Sequence, residues 1–112
     1  MQALQSIIKL AVPGTNNVNQ LTDTKDYVVK VMKFFCERFG GATVSKTEGG
    51  YIASDGQLVV EPVSWVWSYC TTQQLEMHSA EVVSLAETLC RELHQESVAV
   101  IINESMFFVT IA

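Results

Sequence analysis

The chain is 112 residues long, 48% hydrophobic and 17% charged, with a net charge of −5. That length holds one domain, residues 1–112, and the composition is that of a globular protein rather than a disordered one. No apolar run approaches the roughly 18 residues that would span a bilayer, and the acidic balance argues against binding duplex nucleic acid through its phosphates.

The charge is unevenly spread. Residues 1–46 carry six Lys/Arg against three acids, whereas residues 47–112 carry Arg91 alone against nine acids. A small anionic ligand remains compatible with this pattern, because two or three placed cations suffice to hold one.

The opening, MQALQSIIKLAVPG, has no basic leader, and Gln5, Ser6 and Lys9 interrupt its apolar residues. It reads as a first strand over 3–12 ending at Pro13-Gly14, not as a signal peptide. TNNVNQ (15–20) reads as a loop, after which Thr22 or Asp23 can cap a helix. Tyr27, Val28, Val31, Met32, Phe35 and Phe39 recur at helical spacing along that helix, and Gly40 ends it. Short strands follow at 42–47, 50–54 and 57–61, with Asp55-Gly56 marking a hairpin turn. Val63, Trp65, Trp67 and Tyr69 then alternate with Ser64, Val66, Ser68 and Cys70, which predicts a strand with one bulky and one mostly small face. Pro62 marks a break or an edge position. A second helix begins between Gln73 and Ser79, with Val82, Ala86, Leu89 and Leu93 as its apolar seam. The chain ends in a hairpin, 97–102 and 105–111, turning at Asn103-Glu104. The order β-α-β-β-β-β-α-β-β predicts an α+β fold with a mostly antiparallel sheet and two helices.

Few residues carry obvious chemistry. Cys36, Cys70 and Cys90 are odd in number and match no zinc spacing, so they are expected to be reduced in a cytoplasmic protein. Gly40-Gly41 follows a helix, whereas a phosphate loop precedes one. Cys90 and His94 share a helix face but lack the third group a nucleophilic or metal site needs. No carboxylate pair stands out for acid–base work. The stripe Trp65-Trp67-Tyr69 fits either a packed face, on the helices or a second subunit, or a platform that stacks on a planar ligand. Arg38 complements the end of the first helix. Arg91 fits either an ion pair with Glu87 or a bidentate phosphate clamp.

Phe39–Trp65 (FGGATVSKTEGGYIASDGQLVVEPVSW) and Leu89–Val109 (LCRELHQESVAVIINESMFFV) together carry a helix ending in FGG-x-T, a G-x-W/Y hairpin, a V-x-E strand and a late helix running into Q-E-x-V-x-V. This pattern resembles the phage anti-Thoeris sponge proteins, the first-described type of Thoeris anti-defence protein. The resemblance implies a non-enzymatic protein that sequesters cyclic ADP-ribose-type signals, with cyclic oligonucleotides as further ligands. It also implies a homo-oligomer with ligands at subunit interfaces, working without cofactor or metal in the host cytoplasm. By the same resemblance Arg38 and Arg91 would contact phosphate, Trp65 or Trp67 would stack on a base, and Gln74 would contact it. The alternative is a protein-interaction or inhibitor module that uses strand 63–69 as its contact surface.

Overall fold

The computed structural model describes residues 1–17 and 20–111. Among them the chain forms β1 (Ser6–Pro13), β2 (Thr15–Asn16), β3 (Gln20–Leu21), α1 (Lys25–Phe39), β4 (Thr43–Ile52), β5 (Leu58–Cys70), α2 (Thr72–Glu92), β6 (Val98–Ile102) and β7 (Ser105–Val109). The fold is α+β, as the sequence predicts. Five strands make one antiparallel sheet in the order β4-β5-β1-β6-β7, while β2 and β3 pair separately. The loop expected at 15–20 thus contains short paired segments, and its positions 18 and 19 lie outside the described residues.

Both helices lie on one face of the sheet. On α1, Val31, Phe35 and Phe39 are buried, and on α2 so are Val82, Ala86, Leu89 and the following Leu93. They meet Ile8, Leu10 and Val12 of β1, Val66 and Cys70 of β5, and Val98 and Val100 of β6 in one core. Leu10 stands at its centre, opposite Val66 on one side and Val100 on the other.

The caps explain where the helices begin and end. Thr24 precedes α1 without a side-chain capping bond, and Asp23 instead accepts from the Lys25 N–H at 3.0 Å. Gly40 takes the left-handed conformation (φ 87°) and donates to the Cys36 carbonyl at 3.0 Å, as a helix-ending glycine does. The second helix starts at Thr72, earlier than expected. Its signal is a capping box: Thr71 accepts from the Gln74 N–H, and the Gln74 side chain accepts from the Thr71 N–H.

Four short strands expected between the helices are two long ones. The segments 42–47 and 50–54 run on through Gly49-Gly50 as β4, and 57–61 and 63–69 run on through Pro62 as β5. The sheet tolerates Pro62 because its carbonyl accepts from the Gly14 N–H at 2.9 Å. A strand residue's N–H and C=O point to the same side, so the missing donor faces the end of β1, where the ladder is already finishing. The turn at Asp55-Gly56 is longer than a two-residue hairpin. Ala53 and Gln57 close it, and Gly56 alone takes positive φ there (85°).

Pairing with β1 ends at Val63, so residues 58–62 of β5 pair only with 48–52 of β4. This end of the hairpin projects past the sheet as a two-stranded arm. Gly14 sits at its root, where an added Cβ would lie 2.6 Å from Pro62 Cγ and 2.9 Å from the Pro62 carbonyl oxygen. Gly14→Ala is therefore expected to destabilise the protein by about 1–3 kcal/mol, the usual cost of overpacking, read as a lower midpoint in chemical denaturation.

Candidate functional site

Strand parity sends Trp65, Trp67 and Tyr69 away from the helices. The small alternates Val66, Ser68 and Cys70 are the ones that pack beneath α1 and α2. The aromatic face therefore does not serve the chain's own core. Trp67 donates from Nε1 to Ser45 Oγ at 3.0 Å and meets Tyr69 edge-on, with ring centroids 6.0 Å apart.

On this open face lies a half-enclosed cavity of about 730 Å³, a size ordinary for small-molecule sites. Its floor is β1 and β5, through Ala11, Val63 and Trp65. The arm forms one wall with Tyr51 and Ile52, and the chain leaving α2 forms another with Gln95 and Glu96. Among the described residues three glutamates line it, Glu48, Glu61 and Glu96, with no lysine or arginine. Glu61 shares strand parity with Val63 and Trp65 and so emerges on the cavity face, while Glu48, opposite Pro62, belongs to the other parity. A concave aromatic floor with uncompensated carboxylates suits a cationic, partly planar ligand and repels a phosphate.

The five residues singled out in the sequence do not come together. Trp65 lines the cavity. Trp67 stands on the same face, two residues further along β5. Gln74 is occupied in the capping box. Arg38 belongs to the helical layer, where Nε donates to Glu81 Oε2 at 3.0 Å and the guanidinium sits 3.9 Å from the Phe34 ring centroid. Arg91 is exposed in the last turn of α2. Cys90 and His94 also part company. The thiol donates to the Gln95 carbonyl at 3.0 Å, while His94, beyond the helix end at φ 51°, bonds Asn16 at 3.0 Å. Burial pushes the Cys70 thiol above its ordinary value, which keeps it protonated and unreactive.

Sequence reasoning did not single out Tyr51, Glu61, Gln95 or Glu96. A signal for them existed, because they are the tyrosine of the G-x-W/Y hairpin, the glutamate of the V-x-E strand and the pair that opens Q-E-x-V-x-V. They lie far apart in sequence, and only the sheet brings them to one cavity.

No family model matches the chain, and no curated protein matches it. Among solved structures it is similar to a phage SAM lyase in complex with S-methyl-5'-thioadenosine. That likeness has 23% identity and a TM-score of 0.68, over 99% of this chain and 95% of that one. It is also similar to a phage SAM lyase in the apo state, with 25% identity, a TM-score of 0.70 and the same coverage. These neighbours correct the reading drawn from the sequence. The fold is shared with an enzyme acting on S-adenosylmethionine (SAM), not with an anti-Thoeris sponge. The expected non-enzymatic sequestration of cyclic ADP-ribose-type signals or cyclic oligonucleotides gives way accordingly. So does the cyclic-nucleotide ligand, since the molecule bound in the neighbour is a thioether nucleoside. The interaction-module alternative gains no support from them. The homo-oligomer that came with the sponge resemblance has no support here either. Among the described residues no helix is long and apolar enough to cross a membrane.

The Arg38 cluster bears on stability. Glu81 accepts from His78 Nδ1 at 2.7 Å and from Arg38, and these bonds, His78's first, hold its carboxyl below the ordinary value. A depressed carboxylate contributes stability above its unfolded pKa and loses it as the pH falls through the folded one. Glu81→Gln is thus expected to lower stability near neutrality, and the difference from wild type should shrink as the pH falls below about 4.5, read as denaturation midpoints followed by circular dichroism at several pH values.

Proposed function

We propose that this protein is a SAM lyase that splits SAM into S-methyl-5'-thioadenosine and a four-carbon amino-acid fragment. The observation that carries the reading is the likeness, along 99% of the chain, to a phage SAM lyase holding that thioether. The acidic, aromatic-floored cavity agrees with it, because SAM presents a sulfonium, an ammonium and a flat adenine.

The chemistry asks little of the protein. SAM already contains a leaving group that departs neutral and a nucleophile of its own. Its carboxylate oxygen attacks Cγ, the Cγ–S bond breaks, and the electron pair moves to sulfur. The products are a neutral thioether and a homoserine lactone that keeps its ammonium charge. No proton is transferred and no water is consumed. The cavity's task is to fold the amino-acid tail so that the carboxylate meets Cγ opposite the sulfonium, a proximity effect, and to exclude competing water. Trp65 offers a ring face for the adenine, and Glu61 and Glu96 offer charge to the ammonium. Because SAM is a cytoplasmic metabolite, that is where the activity would operate, depleting the cell's methyl donor.

Incubating the purified protein with SAM is expected to release S-methyl-5'-thioadenosine and homoserine lactone in equal amounts, resolved by liquid chromatography and mass spectrometry. Unchanged SAM would refute the reading, and aminocyclopropane carboxylate as co-product would replace the lactone mechanism with α-proton abstraction. Glu61→Gln should lower kcat/KM roughly 10- to 100-fold, as expected for losing one charged hydrogen bond of about 1.5–3 kcal/mol. Trp65→Ala should weaken thioether binding by about 1–3 kcal/mol in calorimetry, the worth of one base stack.

A further inference from the structure

Behind the cavity wall, Thr15 is only 2% exposed and does not line the cavity itself. Its hydroxyl donates to Glu61 Oε2 at 3.4 Å and accepts from Gln95 Nε2 at 3.4 Å. The direction of these bonds follows from the Glu61 carboxylate, which can only accept, and from the orientation of the Gln95 amide. Its Nε2 also donates to the carbonyls of Thr15 and Leu93, each at 3.0 Å. Two carbonyl oxygens can face only the nitrogen end of an amide, so the amide cannot be turned round. The two N–H groups of that nitrogen are shared among three oxygens, so the Thr15 hydroxyl can only accept from it, and its own hydrogen goes to Glu61 Oε2, which as a carboxylate oxygen can only accept.

Among the described residues no lysine, arginine or histidine pairs with Glu61; the salt bridges join Arg38, His78, Glu37 and Glu81 on the helices. Glu61 is thus aimed by a neutral donor and keeps its full charge for whatever enters the cavity. A carboxylate against the sulfonium would stabilise the charge that the reaction removes, and so slow it. A carboxylate against the ammonium stabilises a charge that persists throughout. We propose that Thr15, held by Gln95, is a positioning residue that presents the Glu61 carboxylate to the α-ammonium group of SAM. This rests on the lyase reading above.

The test compares wild type, Thr15→Val and Thr15→Ser by calorimetry with two neutral-sulfur ligands. S-adenosylhomocysteine carries the ammonium, and S-methyl-5'-thioadenosine lacks it. Thr15→Val should bind S-adenosylhomocysteine about 5- to 10-fold more weakly, as for one lost hydrogen bond, while thioadenosine binding stays put. Its KM for SAM should rise by a similar factor with kcat nearly unchanged, the mark of lost uniform binding. Thr15→Ser, which keeps the hydroxyl, should restore both values. Equal loss for the two ligands would mean a merely structural role, and no loss for either would mean that Thr15 does not position Glu61; each overturns the proposal while wild-type turnover leaves the lyase reading standing. Wild type that neither binds the thioether nor cleaves SAM would sink the lyase reading, and this proposal with it.

Discussion

Along β5, alternate side chains must leave the sheet in opposite directions, and that period-two constraint sorts thirteen residues into two unlike surfaces. Val66, Ser68 and Cys70 go down to meet the helices, where small side chains let α1 and α2 approach the sheet. Glu61, Val63, Trp65, Trp67 and Tyr69 go up. A slip of one residue against β1 would bury the tryptophans under the helices and strip the cavity of its floor. Core and cavity therefore share a single register, fixed by eight consecutive pairs from Ser6–Cys70 to Pro13–Val63. The site is not an addition to the fold but its other face.

The proposed chemistry explains why an inventory of reactive groups points away from catalysis. Nucleophile–base pairs, metal clusters and carboxylate couples are searched for because most substrates need a group activated or protonated. SAM needs neither. Its sulfonium leaves without a proton, and its carboxylate is ionised at neutral pH. An enzyme for such a substrate can be built from shape, an aromatic surface and one or two fixed charges, which are the features of a binding protein. Absence of a catalytic constellation excludes only reactions whose substrates do not bring their own.

The helical layer was plain in the sequence because each helix has an apolar seam with a 3.6-residue period, and Gly40 stops α1 where its conformational freedom is used. The strand alternation at 63–70 was equally plain, but alternation identifies two faces without saying which one the helices cover. Pro62 and Gly49-Gly50 looked like breaks, since nothing in one sequence shows that β1 has already ended beside the proline. Thr71-Thr72-Gln73-Gln74 carries a capping box, in which Gln74 bonds Thr71 through both its backbone N–H and its side-chain oxygen, a local role that the family resemblance does not show. The arginines drew attention for their isolation in the sequence, whereas the cavity holds glutamates that looked like ordinary solvated charge. Which carboxylates converge is decided by long-range pairings such as Ala11–Trp65 and Leu10–Val100, and a chain read linearly does not display them.

The arm at 48–52 and 58–62 forms one wall of the cavity, yet among the described residues it is a ribbon of two strands with no third strand beside it. Two-stranded ribbons are marginally stable in water, so any molecule gripped between the arm and the chain leaving α2 must also quiet the ribbon's bending. Ligand affinity and ribbon stiffness become one variable. A stiffer arm would hold any ligand more tightly, and on the lyase reading it would hold substrate and thioether product alike. On a wall built this way, tight binding and quick release pull against each other.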